Sequence, residues 1–298
     1  ASAYMGFLTW HGGLAGSIPL ALATETDWSF ELTGGIMVGE TIFASYNLII
    51  AIVLIVTLPF LARFMIPSKE ETFVIDPKLL ETKVEVEDKE KPKTPAEKIE
   101  NASIISLILA AGAVIYLIYY FGTGGSLNLN IVNFIFLFAG ILFHWTPRRY
   151  ITALYEAVRG SGGIILQFPF YAGIMGMMVS SGLAELISQW FVNVSTEFSF
   201  PFFAFISAGI VNFFVPSGGG QWAVQGPIML PAATELGVDM ARASMSIAWG
   251  DAWTNMIQPF WALPALGIAG LNARDIMGYC IIALIFSGII ISLGLLFL

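Results

Sequence analysis

The sequence predicts an all-α, polytopic membrane protein whose helices are repeatedly interrupted by glycine and proline. Three observations carry that reading. Hydrophobic residues make up 57% of the 298-residue chain and charged ones only 11%, with a mean hydropathy of +0.79, a balance foreign to soluble domains of this length. Apolar runs approaching the roughly 20 residues that cross a bilayer as a helix recur along the chain. Every lysine lies between Lys69 and Lys98, which leaves the apolar runs almost free of charge.

Taken in order, residues 1–24 are apolar but interrupted by Gly12, Gly13, Gly16 and Pro19. Residues 25–40 are polar, with Trp28 and Phe30, as an interfacial connection would be. A clean span follows at 42–66. Residues 69–100 hold seven Lys and ten Asp/Glu, with Pro77, Pro92 and Pro95, and read as a solvated linker. Spans then fall at 103–121 and, shorter, at 131–145. The run 161–180 is expected to be broken at Gln167-Phe168-Pro169, and an amphipathic stretch at 183–194 follows it. Residues 200–235 read as a hairpin, 241–271 as an interrupted segment, and 276–298 as a final span. The chain thus divides into 1–66, the C-terminal part of a first membrane repeat; 67–101, a charged cytoplasmic linker; and 102–298, a second membrane repeat.

With the lysine-rich linker in the cytoplasm, the alternation of spans puts twelve of the thirteen basic residues on that side, Arg242 being the exception. The net charge of −8 argues against nucleic acid or anionic lipid as partner. The single cysteine, Cys280, excludes an intramolecular disulfide. The chain opens on Ala1 inside an apolar segment, which leads us to expect an N-terminally truncated chain that by itself neither transports nor folds as stably as a longer parent. A weak internal repeat relates Gly6-Phe7-Leu8-Thr9-Trp10 and the Pro19 region to Gly250-Asp251-Ala252-Trp253 and the Pro264 region. Related segments of opposite orientation are a signature of inverted-repeat secondary transporters.

The most informative stretch is Ser217-Gly218-Gly219-Gly220, preceded by Pro216 and set between apolar runs. Helix-breaking sequence at membrane depth survives only where protein buries it or where it lines a polar cavity. It reads as the tip of a re-entrant hairpin or broken helix that holds a substrate, with Gln221, Trp222 and Gln225 just beyond it. A close helix crossing would also use small residues, but does not call for the neighbouring Pro, Gln and Trp.

Asp251 is the one carboxylate in the middle of an apolar segment. It is placed either to serve a coupling cation or proton, or to sit hydrated at an interfacial break or helix cap. Thr254, Asn255 and Gln258, before Pro259, suggest an unwound stretch whose oxygens bind Na⁺, and Asn212 joins them from the hairpin. With no Lys or Arg in the core of a later span, an anion would be held by helix N-termini and backbone N–H groups. That favours a single negative charge beside an apolar tail, with Trp222, Trp253, Phe260 and Trp261 as pocket walls, packing or interfacial belt. His11 is a candidate proton relay; His144 has an ordinary interfacial position. No His, Cys or carboxylate pair has metal-ligand spacing, and Ser217 with a histidine would be the one hint of an intramembrane serine hydrolase.

Several blocks resemble a known family: Gly6-Phe7-Leu8-Thr9-Trp10, Gln167-Phe168-Pro169-Phe170-Tyr171-Ala172-Gly173-Ile174, Val215-Pro216-Ser217-Gly218-Gly219-Gly220, Gln225-Gly226-Pro227, Gln258-Pro259-Phe260-Trp261-Ala262-Leu263-Pro264 and Arg274-Asp275-Ile276-Met277-Gly278-Tyr279-Cys280. They resemble the bacterial short-chain fatty acid transporters of the ion transporter superfamily, along essentially the whole chain. The resemblance implies a multi-pass bacterial inner-membrane symporter of acetoacetate, butyrate or acetate, coupled to H⁺ or Na⁺. It also implies two inverted repeats, each with a re-entrant hairpin and a broken helix, and members that extend further at the N-terminus. On it, residues 217–220, Gln221, Trp222, Gln225, Thr9 and Trp10 would bind substrate, and Asp251, Thr254, Asn255, Gln258 and Asn212 would couple the ion. No catalytic residue, metal or cofactor beyond H⁺ or Na⁺ is expected. Partners would be the monocarboxylate and membrane lipid, with a homodimer left open. In the family's version of the first motif Gly stands where this chain has His11.

Overall fold

The computed structural model describes residues 1–68 and 94–298. Most of the charged linker, and with it the expectation of a solvated cytoplasmic segment, lies outside the described residues. The described part is an all-α polytopic membrane protein. The first interrupted segment comprises α1 (Ser2–Thr9), a π-helical turn (Trp10–Leu14) and α2 (Ser17–Leu22). A short α3 (Phe30–Thr33) lies in the connection to α4 (Ser45–Phe64). After α5 (Pro95–Glu100) come α6 (Ser103–Gly122), α7 (Leu129–Phe143), the long α8 (Pro147–Ser180) and α9 (Leu183–Asn193). The second half closes with α10 (Phe200–Asn212), α11 (Gly218–Glu235), α12 (Met240–Thr254), a 3₁₀ turn (Pro259–Ala262), α13 (Leu263–Ala269) and α14 (Ala273–Phe297).

Local sequence explains where these helices start. Thr94 and Glu97 form a reciprocal capping box: Thr94 Oγ1 accepts from the Glu97 N–H and Glu97 Oε2 from the Thr94 N–H. Asn128, Thr146, Ser217 and Asp239 each accept a hydrogen bond from the first turn of α7, α8, α11 and α12. α4, α6 and α14 are long and apolar enough to cross a membrane, while α7 and α10 are shorter apolar helices. α6 illustrates the lipid-facing pattern, with Ile104, Ile108 and Ile115 all exposed.

The expected break at residues 167–169 is not there. α8 runs unbroken through Pro169, and the bend comes later, at Ser181 and Gly182, where residues 165–180 and α9 diverge by 59°. A proline removes one hydrogen bond and crowds one carbonyl, and here the helix carries this as a local defect rather than ending. Gly182, at φ +71, takes the left-handed conformation that reverses the chain.

α12 is the core helix, buried at every residue from 243 to 252. α10 approaches it so closely that a Cβ on Gly250 would collide with the Phe205 carbonyl, and one on Gly209 would lie 2.9 Å from the Trp253 ring. The first interrupted segment crosses α12 on another side. There Trp249 fills the space that side chains on Gly12 and Gly13 would need. Asn47 locks this crossing: its amide donates to Gly13 O at 2.7 Å and its carbonyl accepts from Trp249 Nε1 at 2.9 Å. Arg242, the basic residue that the charge rule leaves on its own, has a structural task. Its guanidinium donates to Leu295 O at 2.6 Å, at the C-terminal end of α14, and lies over the Tyr46 ring.

Candidate functional site

The chain breaks in three places that meet. The tip at 217–220 starts α11, the π-helical turn ends α1, and Asp251 lies one turn before α12 unwinds. A Cβ added to Gly218 would sit 3.3 Å from Asp251 Oδ2, 3.3 Å from Ser17 Cβ and 3.4 Å from His11 Cε1. The absence of a side chain at 218 is what lets these elements touch. His11 Nε2 lies 2.7 Å from Asp251 Oδ2. Its ring stacks on Phe7 at 5.1 Å between centroids, which fixes its plane. A π-helical turn, rare and frequent at functional positions, carries the histidine into this contact.

Asp251 is almost fully buried, and a buried carboxylate requires compensation. His11 supplies one partner and the positive end of the α11 dipole a second. Its other oxygen, Oδ1, has no protein partner among the described residues.

Three of the candidate ion-coupling residues form a second polar group one turn away, with Gln258 just beyond it. Asn212, the last residue of α10, donates to Thr254 Oγ1 at 3.0 Å and Asn255 Oδ1 at 3.1 Å. Thr254 in turn donates to Gly209 O. Tyr4 reaches the same break from α1, donating to Asn255 O at 2.9 Å. Gln258 Oε1 accepts from the Phe260 N–H and so caps the 3₁₀ turn. Asn212 Oδ1, Asn255 Nδ2 and Gln258 Nε2 are buried without partners among the described residues. Among the described residues no three His, Cys, Asp or Glu side chains group as metal ligands do.

The tip glycines differ. Gly219 is exposed and a Cβ there would meet open space, whereas one on Gly220 would press on Met175 Sδ at 3.2 Å. Ser217 and Gly220 border a half-open cavity of about 220 Å³ whose other walls are α8, Val215, Pro216 and Phe260. The Ser217 hydroxyl accepts from the Gly220 N–H, and among the described residues no hydrogen bond joins it to a histidine.

Other candidates lie elsewhere. Gln221 donates to Ala208 O and to Gln225 Oε1, and Gln225 donates to Ser188 and Ser207, so both amides fasten α11 to α9 and α10. Trp222 points to the connection after α2, where it donates to Asp27 and packs against Trp28. Trp253 packs on Phe205 and donates to Leu284 O. Thr9 borders a separate groove between α1 and α4, and Trp10 is half exposed. Trp261 leans on Phe7 and Phe260. The cavity wall on α8 escaped the residue-by-residue reading. Its signal was the Gln167-Phe168-Pro169-Phe170-Tyr171 block, which carried the resemblance but read as a break.

Comparison with known proteins identifies the family. A family profile described as "Short chain fatty acid transporter" matches residues 1–298. The chain is 49% identical over 298 residues to a protein of Escherichia coli (strain K12) named "Putative short-chain fatty acid transporter", an alignment covering 99% of this chain and 68% of that one. It is 46% identical to a protein of the same name from Haemophilus influenzae (strain ATCC 51907 / DSM 11121 / KW20 / Rd), with 100% of this chain and 69% of that one covered. No solved structure matches. The chain therefore belongs to the short-chain fatty acid transporter family.

Proposed function

We propose that this protein carries short-chain monocarboxylates such as acetoacetate, butyrate and acetate across the bacterial inner membrane by symport. One observation carries the reading. The tip at 217–220 is at once the start of α11, the edge of an apolar cavity and the neighbour of the His11–Asp251 pair. A carboxylate is received by the free N–H groups of the first turn, where the helix dipole favours an anion. Among the described residues no lysine or arginine lines the cavity to balance a second negative charge on the substrate, and Asp251 would repel it. This is why a monocarboxylate is preferred to a dicarboxylate.

The coupling ion in this reading is a proton, held between His11 and Asp251 and exchanged as substrate arrives at Gly219. A second reading, Na⁺ coupling, is favoured by the oxygen-rich group of Asn212, Thr254 and Asn255 with its unpartnered Asn212 Oδ1. In either case 1–66 and 102–298 act as portions of two repeats and 67–101 as their cytoplasmic connection.

The test is uptake of labelled butyrate into proteoliposomes that hold a protein of the relatives' full length containing this chain, with succinate as comparison. Uptake of butyrate in excess of succinate, driven by an inward proton gradient, is expected. Equal uptake of both acids, or uptake of neither, would refute the proposal.

A further inference from the structure

We infer that the cavity between α8 and the 217–220 tip receives the acyl chain of the substrate, and that Ala172 and Met175 set the chain length accepted. This rests on the proposed monocarboxylate transport and assigns a role to residues outside the tip and the coupling group.

The cavity wall is a helical stripe. Phe168, Tyr171, Ala172 and Met175 stand at i, i+3, i+4 and i+7 on α8 and face the same space. The aromatic members are held in place by each other: Tyr171 meets Phe260 edge-on at 4.9 Å between centroids, and Phe168 lies 6.5 Å from the same ring. Ala172 is the one small side chain in the stripe, so it is the place where volume is left free. Met175 is the flexible member, and its sulfur lies against Gly220 of the tip. The polar border is on one side only, at Ser217 and Gly220. A ligand that fits has one charged end and a short apolar remainder.

Size admits the ligand class. A dry apolar cavity of about 150 Å³ accepts the six carbons of a benzene ring. The pocket here, roughly 220 Å³ and open on one side, holds a chain of about six carbons with room over. Burying one further CH₂ strengthens binding about fourfold while there is room. The gauge is then the point along the chain at which that gain stops.

The experiment measures KM for acetate, butyrate and hexanoate in proteoliposomes of the same full-length protein. The unsubstituted protein is expected to show a KM about 15-fold lower for butyrate than for acetate, from two added CH₂ groups. Ala172→Leu fills the middle of the stripe and should raise the KM ratio of butyrate to acetate at least tenfold. Met175→Ala enlarges the space and should lower the KM for hexanoate relative to butyrate. The two variants act in opposite directions, so a general folding defect cannot imitate both. If each variant changes all three acids by one common factor, or changes none, the acyl-chain assignment is overturned while transport stands. If the unsubstituted protein carries none of the acids, the transport reading falls first, and this assignment with it.

Discussion

His11 and Asp251 are 240 positions apart in the chain, yet Nε2 of one lies 2.7 Å from Oδ2 of the other. This contact joins the π-helical turn of the first interrupted segment to the core helix of the second, beside the start of α11. Both side chains are largely buried, with 13% and 3% of their surfaces exposed. A hydrogen bond in such surroundings is strong, and leaving either partner alone is costly.

Removing one partner should therefore destabilise the fold more than removing both. His11→Ala leaves a buried carboxylate without its counterpart, at a cost of about 3–5 kcal/mol. The double replacement His11→Ala with Asp251→Ala should recover part of that loss. Thermal unfolding in detergent checks this as a double-mutant cycle. Strictly additive losses would show that the pair is not coupled.

Asp251→Asn keeps the shape and hydrogen-bonding capacity of the side chain but cannot take up and release a proton. Uptake by this variant should no longer respond to an imposed pH gradient, whereas its order of preference among acetate, butyrate and acetoacetate should be kept. Gradient-driven uptake in vesicles measures both quantities. An unchanged response to the gradient would place the proton elsewhere.

Gly219→Val separates ligand approach from packing. A Cβ at 219 meets open space, so the variant should insert and fold normally. A β-branched side chain over the first N–H groups of α11 should nevertheless lower butyrate uptake by at least tenfold. By contrast Gly218→Ala puts a methyl within 3.3 Å of Asp251 Oδ2 and should disturb the His11 contact too. Normal uptake by Gly219→Val would exclude the tip as the carboxylate site.

The group of Asn212, Thr254 and Asn255 supplies a test between ions. With a proton as coupling ion, replacing Na⁺ by choline should leave uptake unchanged. Asn212→Ala should then lower stability by about 1–3 kcal/mol, because Thr254 and Asn255 lose a buried partner, with no new ion dependence. A Na⁺ requirement that Asn212→Ala weakens would instead favour Na⁺ coupling.

Packing at the crossing of the two interrupted segments leaves no room for side chains. A Cβ on Gly13 would sit 2.5 Å from the Trp249 ring. Gly13→Ala should cost about 1–3 kcal/mol through overpacking, readable as a lowered melting temperature. An unchanged melting temperature would mean that Trp249 can shift, against its hydrogen bond to Asn47.

Composition alone determined that this chain is a helical membrane protein, because apolar runs of bilayer length have few other physical outcomes. The interruptions at Gly12, Gly13 and Gly16, at 216–220 and at 254–259 were legible for a related reason: glycine and proline inside apolar sequence signal a helix end, although Gly218, Gly219 and Gly220 prove to be the first turn of α11. Pro169 shows the limit of that signal, since α8 continues through it and turns at Gly182 instead. Side-chain direction was not legible either. Gln221, Trp222 and Gln225 follow the tip directly in sequence, but their positions on α11 turn them toward α9, α10 and Asp27, where hydrogen bonds satisfy them. The tertiary structure alone brought His11 to Asp251 and placed the α8 stripe across from the tip. Contacts between segments this distant in the chain depend on how helices pack, and the packing follows from the whole set of glycine clearances and buried hydrogen bonds rather than from any one stretch of residues.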